Sequence, residues 1–208
     1  VVGGGFDLVR VDLAHVTDEQ KKGLVRALGH RVMYGIGRVS TITPHALVAS
    51  ALLAHRRRGV STREITDRIG LLRQIANDLG APLSGQLNNA PSSPVIGPIA
   101  DAMRMFVADG SVKDIASRDE SIYQVADDHR PEMSFYKNTL LNLIAGRTIV
   151  AAALSGSTGS IPTSHVRDRA LALSRLFKFE FVYPVGKSFE HIFDETISHL
   201  VDLGLIDK

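Results

Sequence analysis

TITPHALVASALLAHRRRGVSTREITDRI, residues 41–69, carries the start and stop signals of two helices and a basic turn between them. Thr43 is placed to cap, and Pro44 takes the first helical position, where a missing N–H costs nothing. Leu47, Val48, Ala51, Leu52 and Ala54 follow at spacings of three and four. Only His45, Ser50 and His55 interrupt them, so this helix is expected to be covered on most sides. Arg56, Arg57 and Arg58 are expected in its last turn, where cations suit the helix dipole, with Gly59 ending it. Ser61-Thr62-Arg63-Glu64 is a capping box that opens a second helix, with Ile65, Ile69, Leu72 and Ile75 or Ala76 on its inner face. The stretch predicts a helix-turn-helix corner and carries no chemistry of its own.

Upstream, Thr17-Asp18-Glu19-Gln20 is another capping box, opening a helix through Leu24, Val25, Leu28, Val32 and Ile36. Gly29, Gly35 and Gly37 weaken it, so a kink or an end before Val39 is expected. Phe6 to Asp12 alternates as a strand does, after three glycines that match no nucleotide-binding fingerprint.

Downstream, Gly80 is expected to close the second helix, and residues 82–94 (PLSGQLNNAPSSP) read as a flexible loop. Ile96 to Ala108 predicts a helix, and Ser111–Ile115 with Ile122–Val125 a hairpin. This order of elements resembles a winged-helix module. Pro131 starts a long helix to Leu154 with Phe135, Leu140, Leu143, Ile144, Ile149 and Val150 buried. Residues 155–166 read as a linker. A helix from Arg167, a strand Phe177–Tyr183 and a closing helix from Ser188 follow. The predicted fold class is mostly α, with winged-helix-like elements and short hairpins. Residues 1–16 are expected to end an upstream domain, 17–154 to form the helical region, and 167–208 a helix-strand-helix unit.

The 208 residues suffice for a real core, and with 44% hydrophobic and 22% charged residues the balance is that of a globular protein. The absence of cysteine excludes disulfides and thiolate metal sites. A net charge of +2 is too weak to indicate nucleic acid. The first residue is Val1, not Met, and the reading is of a piece of a longer protein. The longest apolar run, Thr139 to Leu154, is shorter than the roughly 20 residues that span a bilayer, although it suits contact with a membrane surface.

Candidate chemistry is sparse. An acyltransferase dyad of the form H-x-x-x-x-D needs Asp five residues after His, yet Gln20, Gly35, Ser50, Val60, Ser134, Ala170, Thr196 and Gly204 occupy those positions. No G-x-S-x-G element supplies a nucleophile either. His191, Glu195 and His199 share one helix face, read as the solvated side and not as a metal site. Asp127, Asp128 and His129 read as capping for the helix after Pro131. DNA binding is disfavoured because Glu64, Asp67 and Asp78 offset Arg63, Arg68 and Arg73 on the second helix. Arg130, Tyr136, Lys137 and Asn138 are the remaining candidates, a polar group suited to a phosphate or carboxylate, or alternatively to a helix surface. Neither a cofactor nor a metal is called for.

Four stretches taken in order resemble the C-terminal region of the glycerol-3-phosphate and dihydroxyacetone-phosphate acyltransferase family, in its bacterial form. They are VSTITPHALVASALLAHRRRGVS (39–61), MSFYKNTLLNLI (133–144), IVAAAL (149–154) and LFKFEFVYPVGKSFEHIFDETISHLVDLGLI (176–206). The likeness runs from about Leu24 to the end. It implies phospholipid biosynthesis, with acyl transfer from an acyl thioester to glycerol phosphate at the cytoplasmic face of a membrane. It also implies a catalytic domain upstream, since the family's His–Asp dyad and substrate-binding motifs have no counterpart here. No catalytic residue is carried over. The implied partners are that upstream domain and a membrane surface.

Overall fold

The computed structural model describes residues 17–54, 59–116, 120–156, 159–178, 181 and 186–207. The predicted strand at Phe6–Asp12 and the Arg56–Arg58 run lie outside these residues, as does most of the predicted strand Phe177–Tyr183. Phe177 and Lys178, which begin that stretch, form a turn.

The described chain is mostly α. Its helices are α1 (Asp18–Val39), α2 (Pro44–Leu53), α3 (Thr62–Asp78), α4 (Gly97–Ala108), α5 (Arg130–Leu154), α6 (Thr163–Leu176) and α7 (Phe189–Asp202). Strands β1 (Val60–Ser61), β2 (Val112–Ala116) and β3 (Ser121–Val125) form an antiparallel sheet in the order β1-β3-β2. The expected hairpin forms, pairing Val112 with Val125 and Ala116 with Ser121, with strands shifted or extended by one residue from the bounds Ser111–Ile115 and Ile122–Val125.

The opening stretch folds as its caps dictate. Thr43 Oγ1 accepts from the Ala46 amide at 3.3 Å, and Pro44, Ala46, Leu47, Val48, Ala49, Ala51 and Leu52 are all buried. The helix ends at Leu53 with Ala54 as its cap. Both halves of the Ser61–Glu64 capping box form, and Ile65, Ile69 and Ala76 face inward. At the other end of α3, Gly80 adopts φ +62°, donating to Asn77 O while Ala81 donates to Ala76 O. That pair of bonds is a Schellman ending, which needs the left-handed backbone that glycine accepts without strain.

Several expectations are corrected. Despite Gly29, Gly35 and Gly37, α1 runs to Val39. Residues 82–94 are not featureless. Leu83 bridges to Ile42, Gly85–Leu87 form a 3-10 turn, and Leu87 is fully buried. Arg73 on α3 holds the loop by donating to the carbonyls of Leu87 and Ala90, a tertiary contact that local sequence cannot reveal. Phe135, predicted inside, is 69% exposed, because α5 turns its neighbour Tyr136 toward α2 instead.

Two apolar cores result. The larger is built on α2 with α3, α4, the sheet and the first half of α5, around Leu47, Leu52, Ile65, Phe106, Met133 and Leu140. The smaller joins the second half of α5 to α6 and α7 around Ile149, Val150, Val166, Ala170, Phe193 and Leu200. At 25 residues, α5 is the beam common to both. Its length, about 1.5 Å per residue, explains how one helix serves two cores.

Candidate functional site

The four polar residues predicted near the start of α5 are not brought to one point. At about 100° per residue, Arg130 and Lys137 share a face two turns apart, whereas Tyr136 and Asn138 point to different sides. Arg130 and Lys137 are half-buried and Asn138 is exposed. Tyr136 belongs to an aromatic cluster. Its ring lies 5.3 Å from Phe106, edge to face, and 5.9 Å from His45. His45 also meets Phe106 at 5.7 Å. The Tyr136 ring therefore seals the junction of α2, α4 and α5, the kind of contact that adds specificity to simple burial. Burial pulls the His45 imidazole below its ordinary pKa.

The Asp127–Asp128–His129 turn does not cap α5 with a side chain as expected. His129 Nδ1 instead approaches Glu132 at 3.2 Å and Ser111 Oγ at 3.4 Å, which fastens the helix start to the strand entry.

A cleft of about 410 Å³ opens where α1, the turn after α3, α5 and α7 meet. Ile36, Leu143, Ile144 and Ile192 make its apolar wall, and Arg147, Lys187 and Glu195 its charged rim. A smaller, more apolar hollow of about 210 Å³ adjoins it past Gly146, Ile149 and Phe189. Gly146 is where α5 and α7 come closest. A Cβ there would meet the Ile192 methyl at 3.0 Å.

The charges on this rim are mutually satisfied. Lys187 Nζ donates to both Glu195 oxygens, at 2.8 and 3.0 Å. That hydrogen bond is the main reason the Glu195 carboxyl sits below its usual range. Burial draws the Arg147 guanidinium below its ordinary value, opposed by the fields of Asp78 and Glu195, and Arg147 donates to the Ile75 carbonyl at 3.2 Å. The expectation that His191, Glu195 and His199 form a solvated face is corrected at its last member. His199 has a side chain only 15% exposed and brings Nε2 to within 3.2 Å of Asp78 on α3. Nε2 makes no hydrogen bond in that approach. Sequence reading missed this His–Asp pair because its members are far apart in the chain.

Among the described residues no group of His, Asp and Glu is arranged to hold a metal, and no helix is long and apolar enough to cross a membrane. The apolar Thr139–Leu154 half of α5, expected to suit a membrane surface, buries Leu140, Ile144, Ile149 and Val150 in the two cores.

Comparison with known proteins places this architecture. Residues 11–208 match the family described as the glycerol-3-phosphate acyltransferase C-terminal region. The chain belongs to that family. Curated relatives include the putative acyltransferase plsB1 of Mycobacterium bovis and its counterpart in Mycobacterium tuberculosis, each 28% identical over 164 residues. The alignment covers 76% of this chain and 26% of each relative, so the chain spans about a quarter of their length. Within this acyltransferase region, the α2–α5 junction and the α1–α5–α7 cleft are the features left to explain.

Proposed function

We propose that this region is the accessory C-terminal part of an acyltransferase of phospholipid biosynthesis, one that moves an acyl group from a thioester to glycerol phosphate. The chemistry belongs to a domain upstream. The observation that carries this reading is the family match over residues 11–208. The absence of an H-x-x-x-x-D dyad and the charge-balanced cleft agree with a supporting role. In this reading the parent enzyme works at the cytoplasmic side of a membrane, as a peripheral protein, where its acyl products reside. Of Arg130, Tyr136, Lys137 and Asn138, the Arg130–Lys137 face remains the proposed contact to an anionic group, whereas Tyr136 packs in the aromatic cluster and Asn138 points to another side.

The order helix–strand–helix–helix–strand–strand across α2 to β3, with sheet order β1-β3-β2, also supports a winged-helix reading of residues 44–125. We read it as a scaffold and not as a DNA reader, because on α3 Arg68 approaches Glu64 at 3.8 Å and on α4 Arg104 pairs with Asp101.

The test is acyl transfer to glycerol 3-phosphate by the 208 residues, by the region extended upstream, and by the upstream part alone. Activity confined to samples containing the upstream part supports the proposal. Turnover by the 208 residues alone overturns it.

A further inference from the structure

Among the described residues, helix α1 is unlike the other long helices. Leu24, Val25, Leu28, Val32, Ile36 and Val39 fall within an arc of roughly 120° at 3.6 residues per turn. They are between 44% and 74% exposed. Among the described residues, the helix meets the rest of the protein only near its end, through the half-buried Tyr34, Gly37 and Ser40 beside the cleft. Its Gly23, Gly29, Gly35 and Gly37 each have open space where a Cβ would stand, so no contact among the described residues requires them. Glycine is a poor helix former, and helices of this kind persist through tertiary packing more than through propensity. A glycine-studded, barely buried helix with a continuous apolar stripe therefore lacks the surface that would hold it.

We propose that this stripe is the seat of the upstream acyltransferase domain of the same polypeptide, an inference that rests on the reading above that such a domain exists. Two observations favour a protein surface as occupant. The large apolar side chains of the stripe are all Leu, Val and Ile, with none of the aromatic residues that anchor interfacial helices in lipid. Gly35 lies within it and leaves a notch into which a partner side chain can fit, as close helix packing uses. The occupant is specified by length and order. The chain corresponds to 26% of its relatives and to the C-terminal region of the family, so the remainder is tethered just ahead of α1. Such tethering raises the local concentration of the upstream domain to about the millimolar range, enough for a modest apolar face to stay covered.

The experiment is hydrogen–deuterium exchange on the lipid-free, full-length parent enzyme, as wild type, Val32→Glu and Arg26→Glu. Amides of α1 are expected to be protected in the wild type. Val32→Glu should speed their exchange by at least about tenfold while α2 and α5 change by less than about twofold. Arg26→Glu, on the opposite face, should leave α1 protected. Because Val32 is exposed within this region, its substitution leaves both cores intact. Unprotected α1 amides in the wild type would overturn the proposal. So would protection that appears only with phosphatidylglycerol vesicles, which would assign the stripe to lipid. Protection that scales with protein concentration would assign it to a second copy and also overturn it. Acyl transfer measured on the same samples separates the two readings, since a protected α1 in an inactive parent refutes the proposed activity and not the docking.

Discussion

Arg73 provides the sharpest test of how the region between α3 and α4 is held. Its guanidinium donates to the Ala90 carbonyl, to the Leu87 carbonyl at 2.8 Å and to Ser92 Oγ at 3.4 Å, all from a half-buried position. Replacing it with Met keeps most of the apolar stem and removes the donors. The Leu87 carbonyl retains the Ala90 amide at 3.3 Å, so its loss is partial. The Ala90 carbonyl, by contrast, loses the charged donor that holds it. Hydrogen bonds to charged groups are worth about 1.5–3 kcal/mol each, and one full and one partial loss give about 2–3 kcal/mol. For a protein of this size that is a fall in Tm of roughly 5–10 °C. Arg73→Lys, with one compact cation in place of a planar fork, should recover no more than about half of it. Urea unfolding gives the free energies, and hydrogen exchange across residues 85–95 shows whether the loop loosens first. Unchanged stability in Arg73→Met, or full recovery by lysine, would refute the view that the bidentate clamp orders this loop.

Three further outcomes follow from the packing. Phe193 is fully buried, lies 6.0 Å from Phe189 and carries the Arg167 guanidinium 5.0 Å above its ring. Phe193→Ala should cost about 3–5 kcal/mol in urea unfolding, and the α6–α7 unit should open before the α2 core in hydrogen exchange. At Gly59, a Cβ would fall inside the Ile122 methyl group. Gly59→Ala should therefore destabilise by about 1–3 kcal/mol, with Ile122→Ala relieving part of that in a double-mutant cycle. Because burial lowers the His45 pKa, the unfolded chain binds the proton more readily than the folded one. The contribution of His45 is therefore present above its unfolded value of about 6.5 and is lost as pH falls from there toward its folded value. His45→Gln should flatten the fall in urea midpoint between pH 7.5 and 5.5, and an unaltered slope would exclude His45 as its source.

Local signals determined the elements of this protein. The Thr17, Thr43 and Ser61 caps, the Pro44 start, the Gly80 ending and the β2–β3 hairpin are short-range hydrogen-bond and backbone effects, and all appear where residue order places them, the hairpin to within one residue. The buried faces of α2, α3 and α5 followed from helical periodicity. The four ordered stretches that resemble the acyltransferase family were also legible, and the family match agrees with them. Tertiary structure alone decided what pairs with what. Arg73 reaches over to the 82–94 loop, His199 reaches Asp78 from α7, and Tyr136 closes on His45 and Phe106 in place of joining Asn138. It also decided what becomes of two apolar faces. The apolar half of α5 is consumed by two cores, while the apolar stripe of α1 stays uncovered. Periodicity shows that a helix has an apolar face. What covers that face depends on where chain folding carries the other elements, and no local pattern encodes that.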